Sequence, residues 1–325
     1  MGPDPAVAAT RVAVRRALAA GTPGDPGSAP VLVACSGGAD SLALLAAAVF
    51  EARDRPWPVV GVTVDHGLHD GSAEVATHVV GQMATLGADE TASIRVSVNA
   101  EGRGLESAAR QARYAVLEEI ADRYGSRTVL LGHTLDDQAE TVLLGLTRGS
   151  GARSLAGMRH AFGVFARPLL GLTRTQTEQA CLAQDIAWWA DPANGDRRFT
   201  RTRVRHTVLP LLESELGPGI AAALARTAEL LRADVDHLDH LAESAYAALP
   251  EPLRVETLLT LAPAVRTRVL RLAALHAGAR SAELFHEHVR ALDALLTDWH
   301  GQGPIDLPGR VRGVRRDGTL VFEVA

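Results

Sequence analysis

The sequence predicts an α/β fold, a doubly wound parallel sheet, followed by a smaller, mainly helical domain that ends in a β-hairpin. Three observations support this prediction. Between Val31 and Arg148, short apolar runs alternate with helical stretches, the pattern of a parallel sheet covered on both faces. From Ile220 to about Thr297, leucine and alanine recur at spacings of three and four, as in helices. The tail alternates around Asp317-Gly318, a strong hairpin signal.

The elements of the sheet domain are expected in regular alternation along the chain. The predicted strands, chosen as short apolar runs, are Val31–Cys35, Val59–Val64, Ser93–Val98, Thr128–Leu131 and Gly163–Pro168. The predicted helices are Leu42–Arg53, Ser72–Leu86, Leu105–Tyr124, Asp136–Arg148, Arg174–Asp185 and Thr202–Leu212. Because ligands of such sheets bind beyond the carboxyl ends of the strands, the motifs that follow the strands are the candidates for a site.

The chain is long enough for two domains. We expect an N-terminal helix and linker over residues 1–29, a catalytic domain over 30–216 and a helical domain over 217–325, with the boundary at Gly217-Pro218-Gly219. The N-terminus lacks the long apolar segment of a signal peptide, and no apolar run reaches the length of a membrane span. We therefore expect a cytoplasmic protein without membrane contacts.

Composition narrows the function classes. Cys35 and Cys181 are the two cysteines and form no CxxC pair, which argues against a disulfide framework, a zinc site and an iron–sulfur cluster. The net charge of −5 is not that of a general nucleic-acid binder. Arginines nevertheless concentrate between Arg148 and Arg205 and again between Arg310 and Arg316. These stretches are either solvated faces or local patches for RNA.

A glycine turn links the first predicted strand to the helix after it. The segment Ser36–Ser41 reads Ser-Gly-Gly-Ala-Asp-Ser. Gly37 and Gly38 allow backbone angles closed to other residues, so that consecutive amides form an anion nest at a helix start. Asp40 would repel phosphates unless a cation intervened, and it therefore implies Mg²⁺. The alternative is an ordinary strand-to-helix turn with a capping aspartate.

This segment resembles the signature of the PP-loop, or N-type ATP pyrophosphatase, superfamily. The resemblance implies an adenine nucleotide alpha hydrolase-like fold. It also implies cleavage of ATP between the α and β phosphates and adenylation of a carbonyl oxygen, from which a nucleophile then displaces AMP. The residues expected to bind ATP and pyrophosphate are Ser36, Gly37, Gly38, Ala39, Asp40, Ser41, Gly132 and His133.

Further segments narrow the resemblance to tRNA(Ile)-lysidine synthetases. Val64–His69 resembles the family's VDHGL segment, although a polar loop alone would explain it. Glu106, Arg110 and Arg113 share one helix face and resemble the family's ExxARxxRY segment. The resemblance implies that Arg113 contacts a phosphate or the transition state, whereas the alternative is a salt-bridge ladder.

Gly132–Thr141 follows the strand Thr128–Leu131 and matches the family's GHxxDDQxET segment. Three carboxylates, Asp136, Asp137 and Glu140, stand near a helix start. Capping of the helix is the simplest explanation, but three acids beside a histidine exceed what capping needs. They are suited to holding a metal or an ammonium group.

The segment Asp191–His206 resembles the family's DPSNxDxxYxRNRIRH segment. It departs from that pattern at Ala193, Phe199, Thr202 and Val204. Phe199 removes a hydroxyl and puts any role for that group in doubt. Arg201 and Arg205 lie at helical spacing, with Arg203 on another side, and arginines so placed suit RNA or ATP phosphates.

The resemblance implies a ligase that modifies the wobble cytidine of tRNA(Ile) with a CAU anticodon, using ATP and free L-lysine. It implies catalytic roles for Asp40, Asp137, Arg113 and Arg205. Asp137 and Glu140 would bind lysine, with Asp137 as base or ammonium anchor. Asp40 and Asp136 would hold Mg²⁺, and Arg201, Arg203 and Arg205 would bind tRNA. A homodimer is also expected, because the apolar helices after Ile220 permit one.

Two other functions are compatible with the sequence. A tRNA thiolase on the same fold would need cysteines to carry sulfur or hold a cluster. A non-catalytic nucleotide- or RNA-binding protein would not need Asp40, Asp136 and Asp137, which are all present.

Overall fold

A computed structural model describes residues 2–20, 29–65, 67, 71–96, 105–149, 151–189 and 195–324. The chain divides into two compact units. The first comprises Met1–Leu144 and Met158–Arg226, and the second Gly145–Gly157 and Thr227–Ala325. The domain boundaries expected from the sequence stay a prediction.

The first unit is built on a six-stranded sheet of order β3-β2-β1-β4-β6-β5. Its strands are β1 (Val31–Ala34), β2 (Val59–Asp65), β3 (Glu90–Arg95), β4 (Thr128–Leu131), β5 (Ala161–Phe162) and β6 (Phe165–Ala166). All pairings are parallel except that of β5 with β6. The predicted α/β fold is confirmed.

The helices of this unit are α1 (Pro5–Ala20), α2 (Ala39–Ala52), α3 (Ser72–Thr85), α4 (Leu105–Tyr124), most of α5 (Leu135–Thr147), α7 (Arg174–Leu182), α8 (Thr200–Arg203) and α9 (Leu209–Leu216). Of these, α2 and α3 pack on one face of the sheet and α4 packs on the other. Because side chains alternate along a strand, Val33 belongs to one apolar core with Leu44 and Met83. Leu32 belongs to the other, with Leu117. This alternation is the physical basis of the doubly wound architecture.

Two strands differ from their prediction. β3 begins at Glu90 rather than Ser93, because Asp89 starts the pairing: its carboxylate accepts the Val59 backbone N–H at 2.7 Å. Within the predicted strand Gly163–Pro168, only Phe165–Ala166 is a strand, β6, which pairs in parallel with β4. Gly163 instead turns the chain from β5 into β6, with a positive φ of 52°.

The predicted helix Thr202–Leu212 is interrupted by a π-helical turn at Val204–Val208. The backbone N–H of Leu209 reaches back five residues to the carbonyl of Val204. Pro210 has no N–H to donate, so the regular α-helical ladder cannot continue through it. The wide turn lets the chain pass from α8 into α9.

The second unit combines helices with a small antiparallel sheet of order β7-β10-β9-β8. Its elements are α6 (Ala152–Leu155), most of α10 (Ile220–Ala248), β7 (Leu253–Arg254), α11 (Val255–Leu259), α12 (Pro263–His276), α13 (His286–Thr297), β8 (Ile305–Leu307), β9 (Val311–Arg316) and β10 (Thr319–Val324). The predicted hairpin is confirmed: Asp317 and Gly318 both have positive φ, as its tight turn requires. The segment from Ile220 to Thr297 is not helical throughout, because β7 interrupts it to join the sheet.

Within the described ranges, no single helix is long and apolar enough to cross a membrane, and one bent pair, formed by 200–216 and Ile220–Ala248, meets the length and composition requirements.

Candidate active site

The glycine turn after β1 is folded by its own hydroxyls. The Ser41 hydroxyl donates to the Gly38 carbonyl at 2.9 Å and accepts the Ser36 backbone N–H at 3.2 Å. Gly37 adopts a φ of +83°, and a Cβ there would lie 2.6 Å from a methyl carbon of Val79. Only glycine fits this position. The turn is therefore held open at the start of α2, as an anion-binding nest requires.

The end of β4 packs directly against this turn. A Cβ on Gly132 would lie 3.1 Å from the backbone N and Cα of Ser41. Glycine at 132 therefore allows the two strand ends to approach closely, and it brings the residues after β4 beside the start of α2. The predicted nucleotide residues from both segments lie together for this reason.

The acids after β4 lie in the first turns of α5. The Asp137 carboxylate caps the helix: its Oδ2 accepts the Thr134 backbone N–H at 2.9 Å and the Thr134 hydroxyl at 3.1 Å. Glu140 is completely buried. A buried carboxylate is very unfavourable unless cations and hydrogen bonds compensate it, so its partners decide whether the site is stable.

Arg201 and Arg205 supply this compensation. The Arg201 Nε–H donates to Glu140 Oε2 at 2.7 Å, and the Arg205 Nε–H donates to Glu140 Oε1 at 2.6 Å. Both guanidinium groups also reach Asp137 Oδ1, at 3.4 and 3.1 Å. The predicted shared face of these arginines therefore meets the acids of α5.

A third arginine, Arg174 at the start of α7, joins the acids of α5 to the glycine turn. Its backbone N–H donates to Asp136 Oδ2 at 2.7 Å. Its guanidinium lies 3.3 Å from Asp137 Oδ1 and 3.5 Å from Asp40 Oδ2. On the same helix, the Thr177 hydroxyl hydrogen-bonds to Asp40 Oδ1.

The pKa values of Asp40 and Asp137 are shifted in opposite directions. Burial raises the pKa of Asp40, although Thr177 and Arg174 oppose this effect. Burial also acts to raise the pKa of Asp137, but the cations Arg201 and Arg174 and the Thr134 backbone N–H outweigh it and lower the pKa. Asp137 is therefore a firmly ionised carboxylate.

His133 is held by a chain of contacts through an arginine. The Arg167 Nε–H donates to His133 Nδ1 at 3.3 Å, and another Arg167 nitrogen donates to the Tyr114 hydroxyl at 2.9 Å. Burial, helped by the charge of Arg167 and opposed by that of Asp137, lowers the pKa of His133 to about 3. The imidazole is therefore neutral near pH 7 and accepts through Nδ1.

The other predicted residues lie around this centre. Arg113 lies on α4, and its pKa is lowered by lost hydration first and then by the cations Arg110 and Arg201, although the residue keeps an exposed surface. Arg203 points away from the acids and donates to the backbone carbonyls of Arg197 and Arg198, both at 2.9 Å. Residues His66, Leu68, His69, Asp191 and Asn194, and the side chain of Glu106, lie outside the described residues.

Arg167, Arg174 and Thr177 were not singled out from the sequence. Their contacts depend on long-range approach, because Thr177 and Asp40 are 137 positions apart in the chain. One local signal existed: Thr173 and Gln176 form a capping box that fixes the start of α7. It marked where the helix begins but not what that helix contacts.

A magnesium site at Asp40 and Asp136 agrees with the donor chemistry. In the part of the chain that is described, no group of three or more His, Cys, Asp or Glu side chains is arranged to hold a metal. Mg²⁺ is commonly held by one or two carboxylates together with substrate phosphates. Asp40 and Asp136 both contact Arg174, the first its guanidinium and the second its backbone N–H, and carboxylates beside an anion nest suit that arrangement.

Comparison with known proteins identifies the family. A model of the PP-loop domain matches residues 12–212, and a model of the TilS substrate binding domain matches residues 253–321. The chain is 48% identical to a tRNA(Ile)-lysidine synthase of Streptomyces coelicolor, over 99% of each chain. It is 51% identical to the tRNA(Ile)-lysidine synthase of Thermobifida fusca, over 98% of each.

Among solved structures, the U34-tRNA thiolase NcsA of Methanococcus maripaludis superposes with a TM-score of 0.57. It is 17% identical and covers 70% of this chain and 80% of its own, so this likeness concerns the fold alone. The near-complete relatives and the two matching domain models, together with the acids and arginines gathered beside a PP-loop, lead to one conclusion: the chain belongs to the tRNA(Ile)-lysidine synthase family.

Proposed function

We propose that this chain ligates the ε-amine of free L-lysine to C2 of the wobble cytidine of tRNA(Ile) with a CAU anticodon. ATP is consumed, AMP and pyrophosphate are released, and the modified tRNA reads AUA instead of AUG. The observation that carries the proposal is the buried Glu140, which with Asp137 is held by arginines beside the glycine turn. Carboxylates organised in this way suit an amine substrate next to a bound nucleotide.

In the first step, the cytidine C2 oxygen attacks the α-phosphate of ATP and pyrophosphate leaves. Ser36, Ser41 and the amides of Gly37 to Ala39 would bind the departing pyrophosphate, with Gly132 and His133 closing the other side. Mg²⁺, held by Asp40 and Asp136, would supply positive charge to the phosphates. Arg113 would stabilise the adenylated cytidine.

In the second step, the lysine ε-amine attacks C2 and AMP leaves. The amine must first lose a proton, since its unperturbed pKa is about 10.4. Asp137 has a lowered pKa and is a weak base. We therefore favour the role of ammonium anchor over that of general base, and the proton of the amine passes to solvent water before the attack. Glu140 would orient the lysine. Arg205 would hold the carboxylates of Glu140 and Asp137 in place.

Recognition of tRNA is assigned to exposed arginines and to the second region of the chain. Arg203 projects away from the acid cluster, whereas Arg201 and Arg205 are engaged with it. Region 217–325 would bind the body of the tRNA, because it contains the match to a substrate binding domain. Since tRNA, ATP and lysine meet in the cytoplasm, we propose that the chain works there.

The test is incorporation of labelled lysine. Protein, ATP, Mg²⁺ and radiolabelled lysine are incubated with unmodified tRNA(Ile) carrying CAU, and elongator methionine tRNA is the control. Label that survives alkaline deacylation on tRNA(Ile) alone is the expected result. Release of pyrophosphate without retained label would keep the adenylating fold but reject lysine as the nucleophile. No label and no pyrophosphate would favour a binding protein.

The thiolase alternative is not favoured. Cys35 and Cys181 are both buried, and burial raises the pKa of each thiol to about 12. A thiol of this kind is neither a nucleophile nor a metal ligand at neutral pH. The chain contains no other cysteine with which to carry sulfur.

A further inference from the structure

The start of α7 contacts every acid assigned to the proposed reaction. The Arg174 backbone N–H binds Asp136, and its guanidinium faces Asp40, Asp137 and Glu140. The capping box of Thr173 and Gln176 fixes this turn, with the Gln176 side chain accepting the Thr173 backbone N–H at 2.9 Å. The backbone of α7 therefore holds Arg174 at a defined place between the glycine turn and α5.

The contacts of Arg174 differ in kind from those of the other two arginines. Arg201 makes one hydrogen bond to Glu140, at 2.7 Å, and Arg205 makes two, at 2.6 and 3.0 Å. Arg174 divides its guanidinium among three carboxylates at 3.3, 3.5 and 4.0 Å. If Arg174 withdrew, Glu140 would keep both close partners, and Asp137 would keep Arg201, Arg205 and Thr134. The fixed part of the network does not depend on the Arg174 guanidinium.

Three carboxylate oxygens thus converge on one loosely held cation: Asp40 Oδ2, Asp137 Oδ1 and Glu140 Oε1. A lysine ammonium carries three N–H donors and one positive charge. It could therefore replace the guanidinium at Asp137 Oδ1 and Glu140 Oε1, while Asp40 Oδ2 would be left to the Mg²⁺ of the proposed reaction. About a quarter of the Arg174 side chain, 24%, is exposed, so it has solvent into which to turn.

We propose that Arg174 is a positioning residue that occupies the cation site of the reaction, keeps the three carboxylates converged, and gives way to the ammonium of the incoming lysine. Thr177 supports it by fixing the other oxygen of Asp40. This inference rests on the proposed function, because it names the group that lysine displaces. According to this inference, Arg174 competes with lysine for the carboxylates, and the placement that it gives them favours the reaction once lysine is bound.

The test separates binding from turnover. Arg174→Gln removes the competing charge, so the KM for lysine should fall about two- to fivefold. Without the guanidinium, Asp40 is no longer drawn towards Asp137 and Glu140, which keep Arg201 and Arg205, and kcat should fall about tenfold or more. Arg174→Lys keeps the charge but not the planar fork, and its kcat should lie between that of Arg174→Gln and that of the wild type. Arg15→Gln, which breaks a surface pair with Glu51, is the matched control and should change neither constant.

A second pair of variants tests the support from α7. Thr177→Val keeps the shape of the buried side chain but loses the hydroxyl bond to Asp40. It should slow tRNA-dependent pyrophosphate release about tenfold while leaving the KM for lysine unchanged; Thr177→Ser should restore the rate. A loss of folded protein would instead lower the rates of pyrophosphate release and of lysine incorporation by the same factor. Thermal unfolding of each variant measures that loss.

Failure of the Arg174 inference can be distinguished from failure of the proposed function. If wild-type protein incorporates lysine and Arg174→Gln shows an unchanged kcat or a raised KM for lysine, the inference is overturned and the function stands. If wild-type protein incorporates no lysine, both fail together.

Discussion

Glu140 illustrates how one side chain can couple the stability of this site to its chemistry. It is completely buried, and its two oxygens take the shortest bonds of Arg201 and Arg205. Pairing of this kind does not by itself make a fold more stable, but removing one partner leaves uncompensated charge. The acid is therefore tied to the two arginines, although they lie more than sixty residues away in the chain.

Glu140→Gln should lower the free energy of unfolding by about 3 kcal/mol, because two guanidinium groups then share only Asp137. Urea denaturation monitored by circular dichroism measures this change. Glu119→Gln, which removes one partner of an exposed pair with Arg123, is the control and should leave the midpoint unchanged. An equal midpoint for Glu140→Gln and wild type would show that the network does not stabilise the fold.

His133 should make stability depend on pH. Its pKa is about 3 in the folded chain and about 6.5 when unfolded. Between these values the unfolded state binds more protons, so stability falls as the pH drops through this window. The melting temperature of His133→Gln should therefore decrease less than that of wild type between pH 7 and pH 5. Parallel curves for the two proteins would contradict a neutral His133.

Residue types and spacings in the sequence indicated which segments would lie together, while the roles of their residues stay predictions. Ser36–Ser41 predicted the nest because glycines, hydroxyls and a following helix act locally. The helical spacing of Arg201 and Arg205 predicted one shared face. Arg174 and Thr177 were missed because their partners are set by how α7 packs against α2 and α5, and no short-range pattern encodes that packing.

At the scale of elements, the hairpin β9–β10 divides its arginines between two roles. Arg315 donates to the carbonyls of Leu295 and Leu296, at the end of α13, and lies over the Trp299 ring. Arg312 pairs with Asp306 on the neighbouring strand, with 47% of its side chain exposed. Arg310 is exposed at the start of the hairpin. Arg315 therefore belongs to the structure of the unit, while Arg310 and Arg312 are available to a polyanion.

Changing Arg310 and Arg312 together to glutamate should weaken tRNA binding. It should also reduce the slope of log K against log salt by about two, one for each lost phosphate contact. Filter binding at several salt concentrations measures this slope. Arg315→Ala should instead lower the melting temperature and leave the slope unchanged. Unchanged affinity in the double variant would remove the hairpin from the tRNA-binding surface.

Elements also show where prediction from sequence fails. The π-helical turn at Val204–Val208 lies just before Pro210 and carries Arg205, whose guanidinium contacts Glu140 and Asp137. β7 has two residues, and its strand character comes from pairing with β10. Such short elements carry too few residues for a periodic pattern, so tertiary contacts decide them.

At the scale of the whole molecule, we propose a homodimer formed through the long helix α10. Leu230 and Leu241 expose 73% and 40% of their surface there. Burying such side chains against a second copy would stabilise an assembly. Leu230→Glu should shift the sedimentation coefficient from that of a dimer to that of a monomer. A wild-type protein that sediments as a monomer at micromolar concentration would contradict the proposal.

The cations described around Asp40, Asp137 and Glu140 are the guanidinium groups of Arg174, Arg201 and Arg205, and the chain contains no lysine. A guanidinium keeps its proton at any physiological pH and so has no lone pair with which to attack an activated carbon. In the proposed reaction the ε-amine of the substrate then has no competing lysine side chain beside the adenylated cytidine, and no lysine of the protein can become attached to the tRNA. An amine introduced by Arg174→Lys would remove that protection, and a protein–tRNA adduct visible by denaturing electrophoresis would be the sign of it.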